Sequence, residues 1–238
     1  MININKHKFL LLQILKDIYS DIELANCMGF KGGTALMFFY DLPRVSIDLD
    51  FNLTDNKKED AVYAKVKKIL LKYGTIFDEA KKLYGPLIVL NYGYGERKLK
   101  VEISKRRFND RYEIKNFLGI NIKVMVVQDM FAHKLCALLD RNTIANRDIF
   151  DCWFFMDKRT PINKSIVESR MEMSLSEYLE KCIELLESLS DKGMLHGMGE
   201  LMDDSMKKFV QRKMRKEVIS LLKFYRDFPI LQQQNSGE

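Results

Sequence analysis

Apolar side chains recur at helical spacing in two stretches of the first third of the chain. In residues 6–25 they fall three or four positions apart from Phe9 to Ile22, and Asn5 stands before them as a possible N-cap. Residues 56–73 repeat the spacing, with lysines largely on the opposite face. The pattern predicts two amphipathic helices, the first with a packing role. The lysine face of the second is interpreted as solvated, with nucleic-acid contact as the alternative.

A period of two between polar and apolar residues predicts strands between residues 75 and 127. The clearest segments are residues 75–77, 86–92 and 98–104, and residues 122–127 are interpreted as a last strand. From residue 128 onward the spacing is helical, in segments that cover residues 128–140, 146–158, 175–189, 200–209 and 213–228. The prediction is therefore an α+β fold with a first domain in residues 1–127 and a helical domain in residues 128–238.

Composition limits the class of protein. With 238 residues and an apolar fraction of 47%, the chain can form a hydrophobic core in one large domain or two small ones. No apolar run is long enough for a membrane span and no signal peptide is found, which predicts a cytoplasmic protein. The formal net charge of +6 is compatible with a polyanionic partner such as RNA, DNA or a nucleotide. The polar tail, residues 232–238, is predicted to be disordered.

Cysteine spacing excludes two further classes. The chain has four cysteines with no CxxC spacing, which argues against both a zinc knuckle and a disulfide framework. They are predicted to be small buried side chains without a chemical role: Cys27, Cys136, Cys152 and Cys182.

A pair of carboxylates on one predicted strand is the first candidate for chemistry. Asp48 and Asp50 alternate with the apolar residues Leu49, Phe51 and Leu53, so both carboxylates point to one face of the strand. Two anions this close repel each other unless a cation lies between them. Mg²⁺ or Mn²⁺ is the expected cation, because a few carboxylates and substrate phosphates are the ligands that Mg²⁺ prefers.

A glycine pair upstream of these acids predicts a phosphate site. Gly32 and Gly33 permit a sharp turn and a close approach to a ligand, and a short helix is predicted to start at Thr34. A helix N-terminus offers free N–H groups to an anion. Metal ligands facing a phosphate cradle indicate phosphoryl or nucleotidyl transfer.

Two further candidates, Arg44 and Ser46, lie between the glycines and the acids. Ser46 shares a strand face with Asp48 if the strand begins early, and the Arg44 guanidinium could contact the same phosphates as the Ser46 hydroxyl. A salt bridge from Arg44 to Asp41 or Asp48 is the alternative, and both interpretations remain open.

A third carboxylate follows on a later strand. Glu102 lies between Val101 and Ile103, in the same kind of alternation as Asp50. If the two strands are neighbours, Glu102 becomes a third metal ligand. The alternative is an exposed glutamate paired with Lys100 or with a lysine on another strand.

The first two C-terminal helices carry the remaining candidates. Lys134 interrupts an apolar helical face and needs an anion or access to water. Asp148 and Asp151 are three residues apart on the next helix, and Arg147 precedes them. A buried Lys134–Asp151 or Arg147–aspartate pair that joins the helices is one interpretation, and a lysine oriented by an acid to hold a triphosphate is compatible with it. A lone His133 is interpreted as structural.

The order of these motifs resembles a known family. Gly32 and Gly33 followed by Asp48-x-Asp50 and then Glu102 resemble the polymerase-beta-like nucleotidyltransferase superfamily. Within it, the AbiEii/AbiGii toxin family is similar in Lys-Gly-Gly-Thr-Ala-Leu, Arg-x-Ser-x-Asp-Leu-Asp-Phe, Lys-Leu-x-Ala-Leu and Arg-Asp-x-x-Asp, which here span most of residues 30–155. The fold that this resemblance implies is a nucleotidyltransferase-like mixed sheet, with a helical domain that completes the active-site cleft.

The resemblance also implies a function. It is that of a toxin from a bacterial toxin–antitoxin or phage abortive-infection system, with an antiviral defence role and a cognate antitoxin or regulator. Such enzymes transfer a nucleotidyl group from an NTP to an acceptor, which is tRNA in some members; a protein acceptor is the other possibility. A catalytically silent nucleotide- or RNA-binding module and a kinase-like phosphotransferase toxin are the alternatives.

Residue roles follow from the same resemblance. Asp48 and Asp50 would hold Mg²⁺, and Glu102 would hold the metal on the side of the attacking hydroxyl or accept the proton of that hydroxyl. Lys134 would bind the triphosphate and Asp151 would support it. The residues that would contact nucleotide or phosphate are Gly32, Gly33, Thr34, Arg44, Ser46, Lys134, Arg147 and Asp148.

Overall fold

The structure, a computed structural model, describes residues 3–141 and 143–228. The predicted polar tail, residues 232–238, lies outside the described residues. The chain divides into two compact units. The first comprises the chain up to Arg107 together with Arg111–Met125, and the second comprises Phe108–Asp110 and the chain from Val126 onward.

A mixed sheet is the framework of the first unit, which confirms the predicted α+β class. Its strands lie in the order β3-β4-β5-β2-β1-β7-β6. Strand β2 runs parallel to β5 and antiparallel to β1, and β1 runs parallel to β7. The strands are β1 (Met28–Lys31), β2 (Leu49–Leu53), β3 (Thr75–Lys82), β4 (Gly85–Asn91), β5 (Leu99–Ser104), β6 (Tyr112–Phe117) and β7 (Ile120–Met125).

The helices of the first unit are α1 (Ile4–Ser20), α2 (Ile22–Cys27), α3 (Gly32–Phe39) and α4 (Glu59–Leu70). The single helix predicted for residues 6–25 is wrong, because it is divided at Asp21. The backbone of Asp21 is extended, and its carboxylate accepts hydrogen bonds from the N–H groups of Glu23 and Leu24 at the start of α2. The N-cap of α1 is Asn3 rather than Asn5.

The two faces of the central strands differ sharply in polarity. Phe30 of β1 and Phe51 of β2 lie with ring centroids 5.3 Å apart on the core face, and both are fully buried. Ile103 of β5, level with Phe51 in the register of the two strands, is buried on the same face, as is Val101. Asp50 and Glu102 alternate with these residues and therefore occupy the opposite face. The alternation predicted for β2 is confirmed, and it separates the hydrophobic core from the polar candidates.

Helices and turns form the second unit, and they pack around buried aromatic side chains. The stacked rings of Phe131 and Phe155 have centroids 4.9 Å apart, and Tyr225 meets Phe131 edge-on. One helix was not predicted, namely α7. The helices are α5 (Val127–Cys136), α6 (Asn146–Asp157), α7 (Lys164–Met171), α8 (Leu175–Ser188), α9 (Asp204–Arg212) and α10 (Met214–Asp227).

Two expectations drawn from composition can be compared with the structure. All four cysteines are free and buried, as predicted. Within residues 3–141 and 143–228, no helix combines the length and the apolarity that a membrane span requires.

Candidate active site

The glycine pair brings the backbone against one of the strand carboxylates. Lys31, the last residue of β1, pairs with Asp50 of β2, and α3 begins at once at Gly32, not at Thr34 as predicted. Gly32 has φ +79°, and a Cβ there would lie 2.4 Å from Oδ2 of Asp50. Only glycine fits this position without strain, because both the φ angle and the approach exclude a side chain. The sharp turn therefore holds the Asp50 carboxylate directly beside the first turn of α3.

The second glycine faces the two polar residues that precede β2. A Cβ on Gly33 would lie 2.7 Å from Oγ of Ser46 and 2.9 Å from Nη2 of Arg44. Both side chains are buried. Ser46 was predicted to share a strand face with Asp48 if the strand began early. Strand β2 begins only at Leu49, so Ser46 lies in the segment before the strand and does not share a strand face with Asp48. It reaches the glycine turn from that segment instead.

Two hydrogen bonds fix the backbone on either side of the first carboxylate. The Thr34 hydroxyl donates to the carbonyl oxygen of Asp48. Nε2 of His7 lies 2.8 Å from the carbonyl oxygen of Ile47, and Nδ1 of His7 lies 2.7 Å from the hydroxyl of Tyr92. A carbonyl can only accept, so His7 carries its proton on Nε2 and accepts from Tyr92.

His7 was missed in the sequence although a signal was present. It is fully buried and lies four residues before Leu11 and seven before Ile14, on the buried stripe of α1. A polar residue on such a stripe must find a partner. The partner itself, a carbonyl forty residues away, depends on tertiary structure and could not be read from spacing.

The buried imidazole makes stability depend on pH in a defined direction. Burial lowers the pKa of His7 below its ordinary value. Between that lowered pKa and the unfolded value of about 6.5, the unfolded chain binds more protons, so stability falls as pH falls. We expect the thermal midpoint of the wild-type protein to drop more between pH 7.5 and 5.5 than that of His7→Gln, measured by differential scanning fluorimetry. His196→Gln, at an exposed position, should keep the wild-type slope, and equal slopes in all three proteins would contradict the role of His7.

The third candidate carboxylate lies on the neighbouring strand. Asp50 of β2 is directly opposite Glu102 of the parallel strand β5. The contact between Lys100 and Glu102 is also present, at 3.5 Å between Nζ and Oε2, and the same Nζ is 3.7 Å from Oδ2 of Asp48. Glu102 therefore lies beside Asp50, as expected for a third metal ligand, and also beside Lys100, as expected for a salt-bridge partner. In the part of the chain that the structure describes, no three acids, histidines or cysteines stand together as a metal-binding group.

The electrostatics of the carboxylate pair nevertheless fit a hard divalent cation. Burial, and then the charge of Asp48, raise the pKa of Asp50, while Lys100 partly offsets this. A partly buried carboxylate beside a second acid is an unfavourable arrangement that a cation relieves. Carboxylate oxygens are the ligands that Mg²⁺ and Mn²⁺ take. Asp48 and Asp50, with Glu102 beside them, are the residues that would hold such an ion.

The second cluster of candidates lies within the helical unit. Nζ of Lys134 on α5 is 3.0 Å from Oδ1 of Asp148 and 2.7 Å from Oδ2 of Asp151, both on α6. Both aspartates are fully buried, and the lysine side chain is 17% exposed. The predicted Lys134–Asp151 contact is confirmed. The arginine beside Asp148 is Arg141, whose Nε lies 3.0 Å from Oδ2, whereas Arg147 lies partly exposed in the first turn of α6.

His133 makes the contacts of a structural residue. Its Nε2 lies 2.6 Å from Oδ1 of Asp110, and its Nδ1 lies 3.0 Å from Nη1 of Arg170 on α7. The ring of Phe108 meets the imidazole edge-on. The contacts tie the segment Phe108–Asp110 to α5 and α7.

Comparison with known proteins adds to this geometry. A family model described as the nucleotidyl transferase AbiEii toxin of a type IV toxin–antitoxin system matches residues 13–223. No curated protein sequence matches the chain.

Solved structures share the fold over almost the full length of the chain. A protein from H. pylori assigned as a nucleotidyltransferase has a TM-score of 0.62 at 19% identity. The superposition covers 97% of this chain and 98% of that protein. JHP933 from Helicobacter pylori has a TM-score of 0.56 at 21% identity, with coverages of 94% and 92%. The nucleotidyltransferase toxin MenT4 from Mycobacterium tuberculosis H37Rv has a TM-score of 0.63 at 16% identity, with coverages of 92% and 84%. At these identities the likeness is one of fold, and it confirms the predicted nucleotidyltransferase-like architecture.

Proposed function

The chain belongs to the AbiEii nucleotidyltransferase toxin family, and we propose that it transfers a nucleoside monophosphate from an NTP to a hydroxyl of a tRNA-like RNA. The observation that carries the proposal is the partly buried Asp50 carboxylate packed against Gly32, with Asp48 two residues away. Two adjacent acids beside a glycine turn have no evident structural benefit. Their arrangement suits a nucleotide bound through its phosphates.

The proposed reaction is an in-line displacement at the α-phosphorus. The acceptor hydroxyl forms the new P–O bond, and pyrophosphate leaves with the electron pair of the bond that breaks. Glu102 accepts the hydroxyl proton; its side chain is 47% exposed, so an acceptor can reach it. A bound Mg²⁺ or Mn²⁺ would neutralise phosphate charge and lower the pKa of the attacking hydroxyl. Asp48 and Asp50 would hold it.

The glycine turn would bind the phosphates. The N–H groups of Gly33 and Thr34 belong to the first turn of α3, where they lack partners within the helix. The Ser46 hydroxyl and the Arg44 guanidinium face the same turn. These groups would orient the triphosphate, while the Thr34 hydroxyl, bonded to the carbonyl of Asp48, would hold the carboxylate in place.

We propose a second phosphate-binding role for the helical unit. Lys134 would neutralise charge on the leaving pyrophosphate, oriented by Asp151 and Asp148, which contact its ammonium. Arg147, partly exposed at the start of α6, would contact the nucleotide. As a type IV toxin, the protein would have a cognate antitoxin and would act in abortive infection or antiviral defence.

Isotope position distinguishes nucleotidyl transfer from the kinase-like alternative. We expect label from α-³²P-NTP to enter RNA when the protein is incubated with Mg²⁺ and total cellular RNA, with each of the four NTPs tested in turn on a denaturing gel. Label from γ-³²P-NTP should be released as pyrophosphate and should not enter RNA. Incorporation of γ label would instead support a phosphotransferase, label in protein would indicate a protein acceptor, and binding of NTP without turnover would indicate a silent binding module.

A further inference from the structure

Lys100 of β5 lies among the acids of the candidate active site. In β5 the buried residues Leu99, Val101 and Ile103 alternate with Lys100 and Glu102. The register with β2 places Glu102 opposite Asp50, so that Lys100 lies level with Asp48. Its ammonium is 3.7 Å from Oδ2 of Asp48 and 3.5 Å from Oε2 of Glu102. A positive charge thus stands where the acids would otherwise repel each other.

The surroundings allow this positive charge to move. The Lys100 side chain is 32% exposed, and the distances from its ammonium to Asp48 and Glu102 exceed 3.4 Å, which is longer than a tight charge-assisted hydrogen bond. A lysine is a point charge on a flexible stem, so it can leave one anion for another without disturbing its strand. The charge of Lys100 is also felt at Asp50, whose pKa it lowers against the effect of burial.

We propose that Lys100 is an internal counter-cation that stands in for the divalent metal in the nucleotide-free protein and is displaced when metal and triphosphate bind together. The inference rests on the proposed function, because it assigns the metal to Asp48 and Asp50. Metal alone must compete with a positive charge already beside its ligands. When a triphosphate arrives with the metal, the displaced ammonium gains a new anionic partner. Metal and nucleotide binding are therefore coupled, and neither ion nor nucleotide is held tightly without the other.

An ordinary surface ion pair predicts something different. Such pairs contribute little to stability and influence their neighbours weakly. If Lys100 formed only such a surface pair, its charge would influence a bound divalent ion weakly, and its removal would leave the affinity for that ion almost unchanged. The two interpretations can therefore be separated by metal binding alone, without reference to catalysis.

The test measures Mn²⁺ binding by electron paramagnetic resonance and titration calorimetry, with inorganic triphosphate as the phosphate probe. Without triphosphate, Lys100→Met should bind Mn²⁺ about tenfold more tightly than wild type, the scale on which a nearby unit charge alters an ionic equilibrium. Lys100→Arg should bind as wild type does. Lys98→Met is the matched control, since it removes the same charge from a side chain that lies over the Phe77 ring. Triphosphate should tighten Mn²⁺ binding in wild type more than in Lys100→Met.

The outcomes decide between this inference and the proposed function. Equal or weaker Mn²⁺ binding by Lys100→Met, relative to wild type and Lys98→Met, overturns the role of Lys100. If that variant does not fold, Lys100→Gln answers the same question. Label transfer by wild type with unchanged Mn²⁺ affinity in Lys100→Met overturns this inference alone. Tighter Mn²⁺ binding in Lys100→Met, with no α-label transfer by wild type, supports the role of Lys100 and overturns the proposed function alone.

Discussion

Replacing either Asp48 or Asp50 with asparagine is expected to reduce α-label transfer by roughly 10²–10³-fold or more, the loss seen when one group that stabilises transition-state charge is removed. Asparagine keeps the shape of the side chain and removes the charge that would hold a divalent ion. The measurement is the initial rate of α-³²P incorporation into RNA at saturating Mg²⁺. The exposed Asp78 of β3 provides the matched control, because Asp78→Asn makes the same chemical change away from the candidate site.

Stability should move in the opposite direction for one of these variants. Burial and the charge of Asp48 raise the pKa of Asp50, so ionised Asp50 opposes folding at a pH above that raised value, and its contribution to stability is lost as pH rises. Asp50→Asn should therefore melt at the same or a higher temperature than wild type at pH 7.5 without metal; about 1 kcal/mol corresponds to about 2–4 °C for a chain of this size.

These two measurements together separate a functional acid from a structural one. A structural carboxylate would lose stability when neutralised, and activity would fall with it. If Asp50 is a functional carboxylate, its neutralisation reduces activity and leaves stability unchanged or raises it. Asp48→Asn and Asp50→Asn proteins that transfer label at the wild-type rate would refute the proposed mechanism.

Strand alternation made the central sheet predictable, but local patterns failed where tertiary structure decides. Strands β2 and β5 were predicted because one face of each is buried and the other is polar. The strand β6 was missed because Tyr112–Phe117 is a largely exposed edge strand. Its apolar residue Ile114 is exposed, so apolar and polar residues do not alternate as they do in a strand with one buried face. The helix start at Gly32 was missed because glycine is a poor helix former. Here it is needed for the approach of Asp50.

The same distinction applies to the candidate site. The residues that carry charge were identified from their types and spacing, and so was the contact between Lys134 and Asp151, but other partners were not. Arg141 rather than Arg147 lies beside Asp148. Arg141 belongs to the segment that follows α5, so the helical spacing within α6 does not reveal that it contacts Asp148. The contacts of Lys100 with Asp48 required the register of two parallel strands. Spacing along one element is visible in a sequence, whereas alignment between elements is a property of the folded chain.

Lys134→Met is expected to lower the free energy of unfolding by roughly 3–5 kcal/mol, the cost of removing one partner from a buried ion pair. The substitution leaves Asp148 and Asp151, both fully buried, without the ammonium that contacts them at 3.0 and 2.7 Å. Arg141 still lies beside Asp148, so the larger part of the loss should arise at Asp151. Urea unfolding followed by circular dichroism measures the effect. Lys181→Met, which removes a surface lysine paired with Glu177, should cost no more than about 1 kcal/mol.

A compensating substitution separates the structural role of Lys134 from its proposed catalytic role. In Lys134→Met/Asp151→Asn the buried charge is removed together with its partner, so much of the lost stability should return. If Lys134 only joins α5 to α6, α-label transfer should return with stability. If it also binds the triphosphate, transfer should stay low in a protein that is folded. A Lys134→Met protein within about 1 kcal/mol of wild type would show that the buried pair does not stabilise the helical unit.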